Sequence, residues 1–209
     1  KQAEIARDEG IDKTKIFVTG NTVVDAVYEC AKIAESKSTI MDKLKLTPES
    51  FILVTCHRPA TTDDQSNLMT IFAVLEELAD KYDKDIIFPI HPRTKKMQEQ
   101  FGIVPGDRVK LIEPIGYIDM LKLQQNCFFL ITDSGGLQEE ACILQKKCVV
   151  IRDSTERPEA VEVGGCVLAG NTDRQKIMAC AEELIARSVN WYNPFGDGRS
   201  GERIVGYLK

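Results

Sequence analysis

Residues 134–140 read Ser-Gly-Gly-Leu-Gln-Glu-Glu, directly after the apolar run "FFLITD". Two glycines let a backbone approach a ligand closely. Ser134 can cap a helix or bond an oxygen, and the free N–H groups of a helix start attract phosphate. Ser134, Gly135 and Gly136 therefore form either a plain structural turn or an anion cradle. Glu139 and Glu140 follow within the first turns of the same helix. Either they complement the helix dipole, or one accepts both hydroxyls of a ribose whose phosphates rest on the turn. Glu140, about one turn beyond Gly136, has the better reach.

The only two histidines, His57 and His91, also follow apolar runs, and both stand beside arginine in "HRP" and "HPR". One such histidine is an ordinary surface or capping group; two of two in this setting point to a ligand edge. Arg58, Arg93, Arg152 and Arg157 either pair with surface carboxylates or grip phosphate or carboxylate with two parallel hydrogen bonds. Pro59 and Pro158 stiffen the loops that present two of them. These residues together describe a site for a phosphate-bearing nucleotide and leave the reaction undefined.

Seven apolar, β-rich runs are placed to position those residues: 15–20, 51–56, 85–90, 109–114, 128–133, 148–152 and 166–170. Helical patterns alternate with them at 22–35, 64–82, 93–100, 116–125, 135–145 and 172–187, with another at 200–208. Thr22 with Asp25 and Thr172 with Gln175 have the spacing of reciprocal helix caps. Strands apolar throughout belong to a parallel sheet covered on both faces. The fold class is α/β, a doubly wound parallel sheet of six or seven strands, Rossmann-like, with ligands beyond the carboxyl ends of its strands. The polar clusters "TGNT", "CHRPATT", "PIHPR", "EPIGY", "TDSGG" and "RDSTERPE" all fall at that edge. The stretch 35–50 reads as the one loose connection, and no internal repeat interrupts the pattern.

Composition narrows the partners. The chain has 209 residues, 43% apolar and 28% charged, with a net charge of −5. That balance argues against nucleic acid, whose binders carry a basic excess. No apolar run approaches the ~20 residues of a membrane span, and no signal peptide is expected. Seven cysteines without a C-x-x-C pair read as small hydrophobes of a reducing, cytoplasmic setting, with no zinc site. The chain opens on "KQAEIARDEG", without Met, so it is expected to be a piece of a longer protein.

A family resemblance adds the chemistry. "FVTGNTVVDAV", "HPRT", "TDSGGLQEEA", "RDSTERPEAVEVGG" and "NPFGDGRSGERI", in that order over nearly the whole chain, resemble the carboxyl-terminal half of the non-hydrolysing UDP-N-acetylglucosamine 2-epimerases. The resemblance implies the UDP-binding half of a two-domain enzyme of GT-B type. It implies a UDP-sugar substrate, interconversion of UDP-GlcNAc and UDP-ManNAc by elimination and re-addition of UDP, no cofactor and no metal, and a homodimer. Ser134 and Gly135 match positions that hold the diphosphate, with Gly136 of the same turn a further UDP-binding candidate, and Glu140 matches the position that binds the ribose. Arg157 matches a substrate contact and His57 a catalytic histidine. Arg58 and His91 match positions tied to a second, regulatory UDP-GlcNAc, with Arg93 and Arg152 further candidates for either ligand.

The chain departs from the family where H-R-x-E-N becomes "HRPATT": Ala60 and Thr61 replace polar groups of the regulatory site. Residues 1–14 are then the end of the preceding half and the crossing segment, 15–190 the Rossmann-like domain, and 191–209 a carboxyl-terminal helical segment. Because the acidic residues thought to move the C2 proton lie on the preceding half, the isolated chain is expected to be inactive. The rivals are the donor-binding domain of a UDP-sugar glycosyltransferase and a non-catalytic UDP-binding module.

Overall fold

Apolar runs become strands here because helices bury both faces of the sheet's central strands; only the edge strand at 109–112 exposes a residue, Lys110. In the computed structural model, which describes residues 2–208, β1 is Phe51–Thr55, β2 Asp85–Pro89, β3 Val109–Ile112, β4 Leu130–Thr132, β5 Cys148–Val150 and β6 Cys166–Leu168. They form one parallel sheet in the order β3-β2-β1-β4-β5-β6. The helices are α1 Gln2–Asp8, α2 Thr22–Lys37, α3 Ile40–Lys43, α4 Pro59–Thr62, α5 Gln65–Tyr82, α6 Pro92–Gln100, α7 Tyr117–Asn126, α8 Gly135–Ile143, α9 Pro158–Glu162, α10 Arg174–Ala186 and α11 Ser200–Tyr207.

Successive side chains of a strand point to opposite faces, and the two cores follow that period. Phe51 and Leu53 of β1 join Val24 and Val27 of α2, Leu121 of α7 and Ala141 of α8. Ile52 and Val54 join Leu68 and Leu75 of α5 and Ile177 and Leu184 of α10. Each such leucine contributes about 2–5 kcal/mol against truncation to alanine, the transfer and cavity costs together. The doubly wound parallel sheet is thus as expected, with six strands rather than seven.

The run 15–20 is the missing one. A short 3-10 turn covers Lys13–Lys15, and the chain then crosses the surface without pairing to the sheet. Phe17 and Val18 are exposed, and the Phe17 ring meets Tyr207 of α11 with centroids 4.4 Å apart. A β-rich composition makes a strand only where a neighbour offers free backbone groups, and this run lies beside none. Within 35–50, α3 forms and buries Ile40 and Met41, so that connection is packed.

The caps also differ from expectation. Asn21, not Thr22, caps α2 by accepting from the N–H of Val23, and Asp173, not Thr172, caps α10 by accepting from the N–H of Lys176. Asp25 instead reaches across the fold and accepts from the N–H groups of Ser200 and Gly201 (3.2 and 2.9 Å), holding the start of α11. Trp191 is buried, donates from Nε1 to the carbonyl of Cys142 at 3.1 Å, and lies flat against Gly165, where a Cβ would meet the ring at 3.0 Å. All seven cysteines are free. Among the described residues, no helix is long and apolar enough to cross a membrane.

The cap assignment is checked by urea denaturation. Asp173→Ala should cost about 1 kcal/mol of stability, whereas Thr172→Ala should stay within about 0.5 kcal/mol of the parent.

Candidate functional site

Strand order reverses between β1 and β4, so the connections leaving these neighbours run to opposite sides and open a crevice at their carboxyl ends. Cys56 and His57 leave β1; Asp133 and Ser134 leave β4. The two ends are locked in register by Thr55 and Thr132, whose hydroxyls bond each other at 2.7 Å.

Asp133 is fully buried at this point. Its Oδ2 accepts from the backbone N–H groups of His57 (2.8 Å) and Arg58 (2.7 Å), and its Oδ1 lies 3.0 Å from His57 Nδ1. Burial alone would raise the Asp133 carboxyl, but the His57 side chain and the two N–H donors outweigh it and hold its pKa below the usual carboxylate value. The same contact to Asp133 raises His57 above its ordinary 6.5, against the opposing effect of partial burial. His57 is therefore an oriented imidazole, poised to carry a proton, with Nε2 turned away from its anchor.

Ser134 caps α8 loosely, its Oγ accepting from the N–H of Leu137 at 3.5 Å. The protein's own packing does not demand the two glycines after it. A Cβ on Gly135 would meet only a carboxylate oxygen of Glu156 at 3.6 Å, and one on Gly136 only the Ser134 hydroxyl at 3.9 Å. Neither glycine has the left-handed φ that excludes side chains. In front of the α8 amino terminus stands the exposed Glu156 carboxylate, with no backbone packed against either glycine.

The two glutamates divide. Glu139 is buried and held by Arg157 Nε at 2.7 Å and by Asn21 Nδ2 at 2.9 Å. Glu140 accepts from Gln124 Nε2 at 2.7 Å and from the Tyr117 hydroxyl. Burial raises both carboxyls above their usual value, and these donors restrain the rise.

The remaining candidates lie at the same edge. His91 caps α6, its Nδ1 accepting from the N–H of Arg93, and its ring centroid is 5.6 Å from that of His57. Arg93 is taken up by a two-point ion pair with Asp63. Arg152 grips Glu156 with both Nη atoms (2.8 and 2.7 Å), and Arg58 Nη1 stands 3.8 Å from the same carboxylate. In α4, Thr61 is buried, whereas Ala60 is exposed and only its carbonyl is engaged, accepting from Asn67 and Asn171.

The fold thus brings His57, Ser134, Gly135, Arg58, Arg152 and the Glu139–Arg157 pair to one crevice. Sequence reasoning passed over Asp133, Asn21, Gln124, Tyr117 and Glu156. Asp133 had a local signal, a carboxylate at a strand end beside a helix cap, and Glu156 had one in Arg152 four residues before it; Asn21, Gln124 and Tyr117 act on residues distant in the chain.

A parallel α/β sheet with its polar residues at the switch point defines the class, a Rossmann-like domain. Within that class the chain belongs to the UDP-N-acetylglucosamine 2-epimerase family, whose model matches residues 1–209. It is 43% identical to the UDP-N-acetylglucosamine 2-epimerase of Methanocaldococcus jannaschii, over 98% of this chain and 58% of that protein. It is 37% identical to the Campylobacter jejuni enzyme, over 100% of this chain and 58% of that one. The M. jannaschii crystal structure in complex with UDP-GlcNAc and UDP superposes with a TM-score of 0.88 at 44% identity, covering 98% of this chain and 59% of that one. The Neisseria meningitidis enzyme bound to UDP-GlcNAc gives 0.83 at 33% identity, covering 99% and 58%. The chain therefore spans a little over half the length of these relatives.

Asp133→Asn should move the His57 titration, read by NMR, to lower pH, because the amide no longer favours the imidazolium. In the parent, the His57 contribution to stability is complete below 6.5 and lost as pH rises through its raised folded value. The Asp133 contribution holds above 3.8 and is lost as pH falls through its lowered one. Asp133→Asn should flatten both limbs. Asp133→Ala strands the N–H groups of His57 and Arg58 and should cost about 1–3 kcal/mol in chemical denaturation.

Proposed function

We propose that this chain is the UDP-binding, carboxyl-terminal half of a UDP-N-acetylglucosamine 2-epimerase acting between UDP-GlcNAc and UDP-ManNAc. The observation that carries this reading is the Asp133-held His57 beside the glycine-flanked amino terminus of α8. That arrangement pairs an oriented proton carrier with an anion seat, as a reaction with a nucleoside diphosphate leaving group requires.

In this reading the diphosphate rests on the N–H groups of Gly135 and Gly136 and on the Ser134 hydroxyl, where the helix dipole and free donors meet negative charge. Glu140, fixed by Gln124 and Tyr117, accepts from the ribose hydroxyls. Arg157, held by Glu139 at Nε and by the Glu156 carbonyl at Nη1, offers its Nη2 to the substrate. As the C1–O and C2–H bonds break, a C1=C2 double bond forms and charge grows on the departing phosphate oxygen, where a protonated His57 stabilises it and keeps its proton; when UDP adds back, the C1–O bond re-forms and C2 takes up a proton on the opposite face. Removal of the C2 proton is assigned to the half of the enzyme that precedes this one. His91, Arg58 and Arg93 border a second sugar-nucleotide position, where Ala60 and Thr61 have lost polar reach. The free cysteines suit a cytoplasmic setting, and the working form is a homodimer.

Calorimetric titration with UDP, with AMP as control, tests the site. Selective UDP binding is expected; equal binding of both nucleotides would sink the assignment. Ser134→Ala should weaken UDP by roughly 1–2 kcal/mol. Glu140→Gln should weaken UDP more than pyrophosphate, since only UDP carries the ribose. Joined to its preceding half, the protein should scramble label between GlcNAc and ManNAc, and His57→Asn should abolish that exchange without abolishing UDP binding.

A further inference from the structure

Glu156 stands where the proposed diphosphate would lie. Its Oε2 is 3.6 Å from the position of a Cβ on Gly135, the first residue of α8. Both of its oxygens are held by Arg152, and Arg58 approaches to 3.8 Å. A carboxylate gripped by a guanidinium fork at a helix start mimics a bound phosphate oxygen pair.

The two partners differ in freedom. The Arg152 side chain is 12% exposed, whereas that of Glu156 is 55% exposed. The cation is fixed by its surroundings and the anion can rotate away. The residues on either side of Glu156 are held, Thr155 by its Oγ1 donating to Gln138 at 2.6 Å and accepting from the Arg157 N–H at 3.0 Å, and Arg157 by its ion pair with Glu139. Displacement therefore needs only rotation of one side chain, with the loop unmoved. The arginines hold the Glu156 carboxyl down at about 2, so it stays ionised across the working pH range.

We propose that Glu156 is a built-in competitor for the anion seat: it fills the position between Arg152 and the α8 amino terminus until the phosphate of a nucleoside diphosphate displaces it. The inference rests on the preceding reading of that edge as a diphosphate site. A diphosphate wins because it brings more charge and more acceptors than one carboxylate. A neutral or singly charged ligand gains too little to open the seat, so Glu156 also selects against weak anions.

Glu156→Gln keeps the shape and removes the charge. Its affinity for pyrophosphate and UDP should rise about two- to fivefold, the scale of one exposed ion pair, while affinity for uridine stays unchanged. Glu156→Asp, with a shorter reach toward the seat, should fall between Glu156→Gln and the parent. Calorimetry on the 209-residue chain with these three probes gives the answer, with circular dichroism confirming that each variant is folded. If the parent binds pyrophosphate and Glu156→Gln binds it equally or more weakly, Glu156 serves to hold Arg152 for the ligand and the competitor role is overturned. If neither parent nor variant binds pyrophosphate or UDP, the diphosphate reading itself fails, and this inference with it.

Discussion

The arrangement of this domain turns on one buried carboxylate. Asp133 closes β4, and its oxygens reach sideways to the backbone and side chain of the residues that leave β1. An ionised carboxylate without water around it is tolerated only when donors surround it. Two N–H groups and an imidazole supply that need, and in doing so they fix the path of the chain after β1 and the orientation of His57. Without Asp133, the crevice would still exist as a consequence of strand order. It would lack a fixed proton carrier.

Around that anchor the edge is built from paired charges. Arg157 is matched by Glu139, Arg152 by Glu156 and Arg93 by Asp63. Arginines that the sequence offers as free anion receptors are thus satisfied internally. The pairs are not equivalent. Glu139 is buried between Arg157 and Asn21, whereas Glu156 is exposed and opposes the α8 amino terminus. The first pairing orients its arginine; the second occupies a seat.

The connection of α2 to the carboxyl-terminal segment follows the same logic of distant satisfaction. Asn21 caps α2 and also steadies Glu139, Asp25 caps α11, and Trp191 closes over Gly165. Segments at opposite ends of the chain are therefore stitched to one another and to the site. The exposed Phe17 and Val18 run past this junction without joining the sheet.

The sequence by itself determined the layered α/β class, six of the strands, the edge that carries the polar clusters, and the glycine-opened helix at Ser134. Those features follow from local periodicity and from residue types with narrow backbone roles, which are written in consecutive residues. Tertiary structure alone decided that the run 15–20 stays outside the sheet, that Asn21 and Asp173 rather than their threonine neighbours cap the helices, and that Asp133 holds His57. It also decided which carboxylate faces which arginine. The Asp133–His57 contact and the Arg93–Asp63 pair join groups far apart in the chain, and spacing along the sequence carries no record of them. The two caps and the Arg152–Glu156 pair are local, but several neighbouring side chains could have served, and the backbone path imposed by the fold selects among them.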